Sequence, residues 1–468
     1  MFQIFRTPKQ PFLFCNLKNV FLLLILFNST IVLCQDGQLD LTFSSYLEAG
    51  SSVYAITQQN DNKILIGGLL GDNYNFTRLN EDGTIDNTFM PVTIFNFVSS
   101  IAVNDRNEIF IAGGSPSYIK KLNQDGSEDQ TFNFEGISGS GSIREVKVLD
   151  NGKIIIAGNF NQIGNTTISA VARLNADGSL DSSFNLNFPP FVSIRTLEVQ
   201  PDGKIIVAGQ YYTIYEIFRR YLPNGSIDTS FNGDESYYIY DIKYQDNGKI
   251  MIAGPFSEYS GITRHNVARL NNDGTLDTSF DSYNLPQNGT TYTIFNILVL
   301  DDGNYILSGS FNTYDGLPSK YLAKIEADGT INSSFDVELG PDYFVWDVFE
   351  QNDGKILIGG DFTNYNGTPI NGIARLTNTS LSTDNYELKN WINIYPTVFE
   401  DKLNIDFNGS SQDTSTSFVE VFSLSGNLIL SENILDSKSL YLDFLNSGTY
   451  ILKITDKAQF FATTIIKR

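Results

Sequence analysis

The feature that most constrains the fold of this chain is an internal repeat of about 49 residues. Its first motif reads D-G-x-L/I-D-x-S/T-F, and its copies begin at Asp36, Asp82, Asp125, Asp177, Asn224, Asp273 and Asp328. A second motif, G-K-I-L/I-I-G/A-G, lies between consecutive copies of the first. A unit of this size is too small to bury a core of its own, so the copies must stack against one another.

Two apolar positions keep a fixed distance from the lysine of the second motif. One lies ten residues before the lysine and the other seven residues before it, as Ile143 and Val146 precede Lys153. The segments are short, rich in β-branched residues and separated by D-G, N-G or D-N turns, which is typical of strands. Each repeat therefore predicts four strands. In the third repeat these are residues 143–149, 153–158, 170–175 and 179–184.

Seven units of four short antiparallel strands predict an all-β fold, with a seven-bladed β-propeller over residues 35–376. The repeat region begins with the fourth strand of a unit, at residues 38–43, and ends with a third strand, at residues 372–376. Pairing of these two segments would complete one blade, close the ring and cover two open sheet edges. An open solenoid of the same repeats is the alternative.

Residues 1–34 are typical of a signal peptide. Three basic residues and no acidic residue precede the apolar run of residues 20–27. An uncleaved anchor fits less well, because the run is far shorter than the ~20 residues that span a bilayer. A lipidated Cys34 also fits less well, because the preceding residue, Leu33, is not small. We therefore expect a protein that is secreted or displayed on the outer cell surface.

Composition disfavours several kinds of site. Both cysteines, Cys15 and Cys34, lie in the predicted signal peptide, and His265 is the one histidine. A cysteine or multi-histidine metal centre is therefore not expected in the mature chain. His265 lies in a predicted loop without a nearby nucleophile, and we expect it to be solvated. The chain has 53 acidic and 31 basic residues and a net charge of -22, which argues against binding to nucleic acid.

The string N-x-D-G-x-x-D, as in Asn175, Asp177 and Asp181, resembles a fragment of a calcium-binding loop. It lacks the closing glutamate, and in most copies the first aspartate as well. Capping of a D-G turn by the same side chains accounts for the string without a metal. We therefore predict no metal or other cofactor, and calcium is the alternative.

The runs at residues 359–367 (GGDFTNYNG) and 372–376 (GIARL) resemble the delta-60 repeat of secreted bacterial proteins. That family is predicted to form β-propellers, so the resemblance implies the same fold for residues 36–376. The second and fourth repeats depart most, because they lack the F-x-x-x-x-G loop. The family has no catalytic residues that could be assigned to positions in this chain.

The repeat stops after residue 376. Residues 377–390 are polar and unpatterned, which predicts a linker, and residues 391–468 alternate apolar and polar over about seven strand-length runs. This pattern predicts a small β-sandwich. The motifs at residues 394–396 (IYP), 421–426 (VFSLSG) and 447–454 (SGTYILKI) resemble the C-terminal sorting domain of the type IX secretion system. The resemblance implies that residues 391–468 engage that machinery in Bacteroidetes-type bacteria; an adhesion-type sandwich is the alternative.

Positions that vary within the fixed repeat indicate where function lies. The residues nine and eight before each lysine position start the innermost strand, and a ring would bring them to one mouth of a central channel. The predicted ligand-binding residues are Arg144, Glu145, Arg195, Tyr240, Asp241, Trp346 and Asp347. Such a set suits a sugar or a peptide, because rings contact apolar faces and carboxylates accept hydrogen bonds from hydroxyls. Ordinary channel residues that contact solvent are the alternative.

We therefore expect a monomeric, non-enzymatic propeller that binds an extracellular glycan or peptide and does not bind nucleic acid. A glycosidase is a second hypothesis, with two of Glu145, Asp241 and Asp347 as a carboxylate pair about 5 to 10 Å apart. A purely structural surface protein is a third.

Overall fold

The computed structural model describes residues 36–45, 47–71, 75–94, 96–114, 116–138, 141–212, 215–281, 293–378, 392–395, 398–407, 417–423, 428–434, 438–456 and 459–468. The predicted signal peptide and most of the predicted linker lie outside the described residues. All regular elements within the described ranges are β-strands, which confirms the all-β fold class. No helix there is long and apolar enough to cross a membrane. The chain divides into two compact units, Met1–Ser380 and Leu381–Arg468.

The described part of the first unit contains seven three-stranded antiparallel sheets, one for each repeat, which we number as blades 1 to 7 in chain order. The inner strands are Ser52–Gln58, Val98–Val103, Ser142–Val148, Val192–Val199, Asp241–Tyr244, Ile294–Val299 and Val345–Glu350. The middle strands are Ile64–Leu69, Ile109–Gly113, Ile154–Asn159, Ile205–Tyr211, Ile250–Ala253, Tyr305–Gly309 and Ile356–Gly360. The third strands are Phe76–Leu79, Tyr118–Leu122, Val171–Leu174, Tyr215–Tyr221, Val267–Leu270, Leu322–Ile325 and Ile373–Leu376.

The blades form a ring. Each inner strand contacts the inner strand of the next blade, and the inner strand of blade 7 contacts that of blade 1. The hydrophobic clusters lie between blades: Val53 and Ile56 of blade 1 pack with Leu357 and Ile373 of blade 7. The middle strands are apolar and almost completely buried because neighbouring blades cover both of their faces. Burial between blades therefore gives each small sheet the core that it lacks alone.

The two ends of the repeat region meet in blade 7. Leu39 forms an antiparallel bridge with Leu376, and the Asp40 N–H donates to the Arg375 carbonyl at 2.8 Å. Arg375 Nε in turn donates to Asp40 Oδ2 at 2.8 Å, and both side chains are buried. We call this contact between residues 36–43 and 372–377 the seam.

The prediction of a fourth strand in each repeat was wrong. In blade 3 the predicted residues 179–184 form only the isolated bridge between Leu174 and Leu180, and the other blades show the same single bridge. Local hydrogen bonds are the reason. The Asp177 carboxylate accepts the N–H and O–H of Ser179, and Asp181 does the same for Ser183, so both segments turn instead of extending.

The D-G turn also joins consecutive repeats. In blade 3, Gly178 has a φ of 88°, which favours glycine over any other residue. The preceding Asp177 carbonyl accepts the N–H of Asn133 from the previous repeat at 2.6 Å. The same bond links Ser44 to Asp82 and Asp281 to Asp328. The motif recurs because its D-G turn forms a backbone hydrogen bond with the preceding repeat.

The second unit contains two sheets. One has strands Ile392–Tyr395, Lys402–Phe407 and Lys438–Tyr441; the other has Val398–Phe399, Ser417–Ser423, Leu428–Ile434, Gly448–Asp456 and Gln459–Lys467. Leu403 and Leu440 of the first sheet share one hydrophobic cluster with Val419 and Leu452 of the second. The two sheets thus bury a common core.

The expectation that His265 is solvated was wrong. The residue is 8% exposed and belongs to the buried polar groups of blade 5, together with its neighbours Arg264 and Asn266.

Candidate functional site

The variable positions lie on β-bulges. In blade 3 the pairing between inner and middle strands shifts between Ile143 and Glu145, so Arg144 is the extra residue without a partner. The same shift makes Tyr54, Ser99, Arg195, Phe295 and Trp346 the extra residues of their blades. In blade 5 the equivalent Tyr240 directly precedes the inner strand and donates its N–H to the Ala253 carbonyl at 2.7 Å. A bulge bends its strand and redirects a side chain, so each blade presents its variable residue at the same end of the ring.

The second motif of the repeat supports these bulges. Its last glycine, Gly158 in blade 3, pairs with Ile143 beside the bulge. A Cβ atom there would lie 2.0 Å from the Ser142 carbonyl oxygen, and one at Gly360 would lie 2.1 Å from that of Phe344. The glycine is therefore required because the bulged backbone approaches it closely.

Four of these residues form an aromatic cup, defined by Tyr240, Phe295, Trp346 and Tyr54 from blades 5, 6, 7 and 1. Phe295 and Trp346 are stacked, with ring centroids 4.6 Å apart. Tyr240 contacts Phe295 edge to face at 5.5 Å, and Tyr54 contacts Trp346 at 6.3 Å. The four rings line a cavity of about 400 Å³.

Ring packing holds Phe295 and Trp346 in the cup, and Tyr54 and Tyr240 also form side-chain hydrogen bonds with Ser52 and Tyr238. The ring of Phe344 contacts both Phe295, at 6.0 Å, and Trp346, at 5.8 Å. The indole N–H of Trp346 is buried and has no hydrogen-bond partner among the described residues. The cup therefore depends on ring contacts and on the bulges beneath it.

Two arginines extend the mouth beyond the cup. Arg195 is nearly buried, and its guanidinium carbon lies 3.1 Å from the ring centroid of Tyr238. Arg195 donates to Glu216 Oε2 at 2.9 Å and also to Gln210 Oε1. Arg144, by contrast, is exposed. These contacts immobilise Arg195, whereas the Arg144 guanidinium forms no ion pair with the carboxylates that the structure describes.

The acidic residues after the bulges join neighbouring blades. Glu145 Oε2 accepts the Leu197 N–H at 2.7 Å, and Asp241 Oδ2 accepts the Ile297 N–H at 2.8 Å. Asp347 Oδ2 accepts the N–H of Ile56 in blade 1 at 2.8 Å. Ser100 accepts the Val146 N–H in the same way. These side chains satisfy inner-strand N–H groups that have no partner in their own sheet.

Two lysines neutralise part of this acidic ring. Lys147 Nζ lies 3.3 Å from Glu145 and 3.5 Å from Glu198, and Lys243 Nζ lies 3.2 Å from Asp241. Burial raises the pKa of Asp347 to about 6, despite the opposing effects of its backbone hydrogen bond and of Lys243. Burial also raises the pKa of Glu145. The acidic side chains Glu145 and Asp241 in the interior of the ring thus form ion pairs with Lys147 and Lys243.

The structure sorts the predicted site residues into two sets. Arg195, Tyr240 and Trp346 come together at the mouth, and Arg144 lies near Arg195 and Tyr240. Glu145, Asp241 and Asp347 lie one step deeper, in the blade-joining positions described above. The predicted set omitted Tyr54 and Phe295, which line the cavity. The signal for both was present, because each stands nine residues before its lysine position.

No cluster of three or more histidine, cysteine, aspartate or glutamate residues that could hold a metal ion occurs among the residues that the structure describes. In the N-x-D-G-x-x-D string, Asp177 and Asp181 direct their carboxylates to Ser179 and Ser183, and Asp181 also accepts a hydrogen bond from Arg173 Nε at 2.7 Å.

Comparisons with known proteins agree with both resemblances. A family described as a domain of unknown function (DUF5122) beta-propeller matches residues 59–89, 149–184, 200–231, 245–280, 300–335 and 351–385. A family described as a secretion system C-terminal sorting domain matches residues 393–468. No curated protein matches the chain significantly.

Three solved structures are similar at low identity. YCF48 bound to D1 peptide is 12% identical, with a TM-score of 0.47, and the match covers 74% of this chain and 100% of that one. A gluconolactonase from Xanthomonas campestris is 12% identical, with a TM-score of 0.37 and coverage of 70% and 87%. A GH74 xyloglucanase from Xanthomonas campestris is 9% identical, with a TM-score of 0.35 and coverage of 90% and 80%.

The repeats and the tail together identify the chain. The tail indicates export to the cell exterior or outer surface and handling by the type IX secretion machinery. The chain is therefore an exported β-propeller protein built from DUF5122 repeats and carrying a type IX secretion C-terminal sorting domain.

Proposed function

We propose that this protein is a non-enzymatic, monomeric propeller that binds an extracellular saccharide at the mouth of the ring. The aromatic cup carries the proposal. Bulges of four neighbouring blades bring four rings around one cavity of about 400 Å³, within the range of about 300–1,000 Å³ typical of small-ligand sites. A sugar ring has an apolar face of C–H groups, which suits the face of an aromatic ring.

The arrangement of the carboxylates supports binding over catalysis. A glycosidase needs one carboxyl group to donate a proton and another that is free to attack or to activate water. Glu145, Asp241 and Asp347 instead each accept a backbone N–H of another blade. We therefore assign these carboxylates to joining the blades.

Ring closure supports a monomer. The seam pairs the two segments that would otherwise leave open sheet edges, and an open edge is what recruits a second chain into a sheet.

A glycan array followed by titration calorimetry tests the function. We expect the intact protein to bind at least one extracellular polysaccharide and Trp346→Ala to lose that binding while keeping a cooperative thermal unfolding transition. Phe444→Ala is the matched control, because Phe444 is an exposed ring in the second unit. Absence of binding to every polysaccharide would leave a structural role. Cleavage of a bound polysaccharide that Glu145→Gln abolishes would establish the enzyme alternative.

A further inference from the structure

Arg144 differs from every other described arginine of residues 36–378 in having no ion pair. The other arginines in those ranges each contact a carboxylate, as Arg195 contacts Glu216 and Arg106 contacts Glu108. Their pairs include those of Arg78, Arg173, Arg219, Arg220, Arg264, Arg269 and Arg375. In a chain with 53 acidic and 31 basic residues, an arginine without an acidic partner is unexpected, because carboxylates are abundant.

The surroundings of Arg144 keep its charge available to a ligand. Burial lowers the pKa of the Arg144 guanidinium, and the groups that act on it include Arg195, which also lowers the pKa, and the Tyr238 and Tyr240 side chains, which raise it. The neighbouring Glu145 directs its carboxylate to the Leu197 N–H and to Lys147. Arg144 and Arg195 therefore place positive charge on the side of the mouth formed by blades 3 and 4, whereas Asp361 places negative charge near Tyr54, and the protein as a whole is strongly negative.

The position of Arg144 links this charge to the aromatic cup. Arg144 is the bulge residue of blade 3, the position that Phe295 and Trp346 of the cup occupy in blades 6 and 7, so it stands at the same mouth as the cup. A guanidinium presents parallel N–H donors that match the two oxygens of a carboxylate. A ligand that uses both features must carry an anionic group on a ring that can lie against aromatic faces.

A peptide fits this mouth less well than a sugar. Peptides that bind to sheets commonly pair their backbone with an exposed strand edge. Here side chains of adjacent blades already occupy N–H groups of four inner strands, as Ser100 does for Val146 and Glu145 for Leu197.

We propose that the mouth recognises a uronic acid residue of an acidic polysaccharide and that Arg144 binds its carboxylate while the aromatic cup contacts the sugar ring. This inference rests on the proposed function, because it names the class of saccharide for the same mouth. Arg195 is a positioning residue, since its guanidinium is held by Glu216, Gln210 and Tyr238.

Tryptophan fluorescence of the full chain measures binding at the cup directly. The chain has two tryptophans, Trp346 and Trp391, so a Trp391→Phe background leaves only the tryptophan of the cup. The probes are trigalacturonate and its fully methyl-esterified form, in which each carboxylate is replaced by a neutral methyl ester on the same sugar backbone. We expect trigalacturonate to bind about tenfold more tightly, as a charge-assisted contact at a partly exposed site implies. Raising the salt concentration should reduce this preference.

Arg144→Met should remove the preference by lowering the affinity for trigalacturonate to about that for the ester. Arg106→Met is the matched control, because Arg106 is exposed and lies in the turn at the opposite end of its inner strand. Equal affinities for the two probes in the parent protein, or a preference that persists in Arg144→Met, would overturn the inference and leave the proposed function standing.

Two further outcomes count against the inference. Tighter binding of the peptide Gly-Phe-Gly with a free C-terminus than of trigalacturonate would identify a peptide carboxylate as the ligand. Failure to bind any charged or neutral saccharide would overturn the proposed function together with the inference.

Discussion

The seam between the two ends of the repeat region leads to a quantitative prediction. Asp40 accepts the N–H of Thr42 at 2.9 Å and its O–H at 2.6 Å, and it pairs with Arg375 Nε at 2.8 Å. Burial alone would raise the pKa of Asp40, but the bonds from Thr42 and the charge of Arg375 lower it from 3.8 to about 2. A shift of this size corresponds to about 2 kcal/mol in favour of the folded, ionised state.

Blade 1 offers a matched control within the same chain. Asp86 accepts the N–H of Thr88 at 3.0 Å and its O–H at 2.7 Å, pairs with Arg78 at 2.9 Å, and also has a pKa of about 2. The difference is covalent. Arg78 and Asp86 are joined by a short turn, whereas Arg375 and Asp40 are 335 residues apart and only the seam holds them together.

We expect Asp40→Asn and Asp86→Asn each to remove about 2 kcal/mol of the free energy that stabilises the local structure around the ion pair. Only Asp40→Asn should release residues 36–43 while the ring stays folded. Native-state hydrogen exchange measures this release at the Asp40 and Thr377 N–H groups, which donate across the seam. Their exchange should accelerate about 30-fold in Asp40→Asn, because 1.36 kcal/mol is a factor of ten. Seam exchange that is unchanged in Asp40→Asn, or equally accelerated in Asp86→Asn, would refute the reasoning.

The pH dependence of seam opening follows from the same pKa. Because the folded-state pKa of Asp40 is lower than the unfolded value, its contribution is complete above about pH 4 and disappears as the pH falls through about 2. In Asp40→Asn this acid-dependent part should be missing.

Three further changes test the ring and the mouth. Deletion of residues 36–43 should lower the melting temperature and promote oligomerisation, because it exposes the edge of the strand Ile373–Leu376. Thermal melting and light scattering measure this, and an unchanged monomeric melting profile would contradict ring closure. Gly360→Ala should weaken saccharide binding more than stability, because the new Cβ would lie 2.1 Å from the Phe344 carbonyl oxygen below Trp346; unaltered binding in calorimetry would show that the bulge does not position the cup. Asp347→Asn should flatten the dependence of the free energy of unfolding on pH. Because burial raises the pKa of Asp347 to about 6, ionisation of this carboxylate between pH 4 and 6 costs the folded wild-type protein up to about 3 kcal/mol. Urea unfolding at pH 4.5 and 7 measures this, and an equal loss in Asp347→Asn and the wild type would contradict the reasoning.

Much of the ring could be predicted from spacing alone. The apolar residues ten before each lysine, such as Val53 and Ile143, are completely buried, as a strand that starts between two blades requires. The absence of a fourth strand could not be predicted, because the residues that follow the D-G turn alternate between apolar and polar as the residues of a short strand do. Residues 179–184 turn instead of extending because the Asp177 and Asp181 carboxylates accept the N–H groups of residues two positions ahead.

The site could be predicted only in part, because periodicity finds a position and not the contacts made there. It singled out Trp346, which lines the cavity, and Arg144, whose role as a ligand-binding residue stays a prediction. It treated the adjacent Glu145 and Asp347 as ligand-facing, since a bulge cannot be read from residue spacing. The bulge leaves the Arg144 side chain exposed to solvent, and the Glu145 carboxylate accepts the Leu197 N–H of the neighbouring blade.

The repeat, the all-β class, the sorting tail and the positions that vary within a fixed frame could all be predicted from the sequence. These properties follow from local patterns that recur along the chain and are independent of which repeats become neighbours. Only the tertiary structure decided that Tyr54 of blade 1 completes a cup with Trp346 of blade 7, that Asp40 pairs with Arg375, and that Arg144 alone among the described arginines of the ring has no acidic partner. The physical reason is ring closure, which brings together residues about 300 positions apart and gives chemically similar side chains different partners.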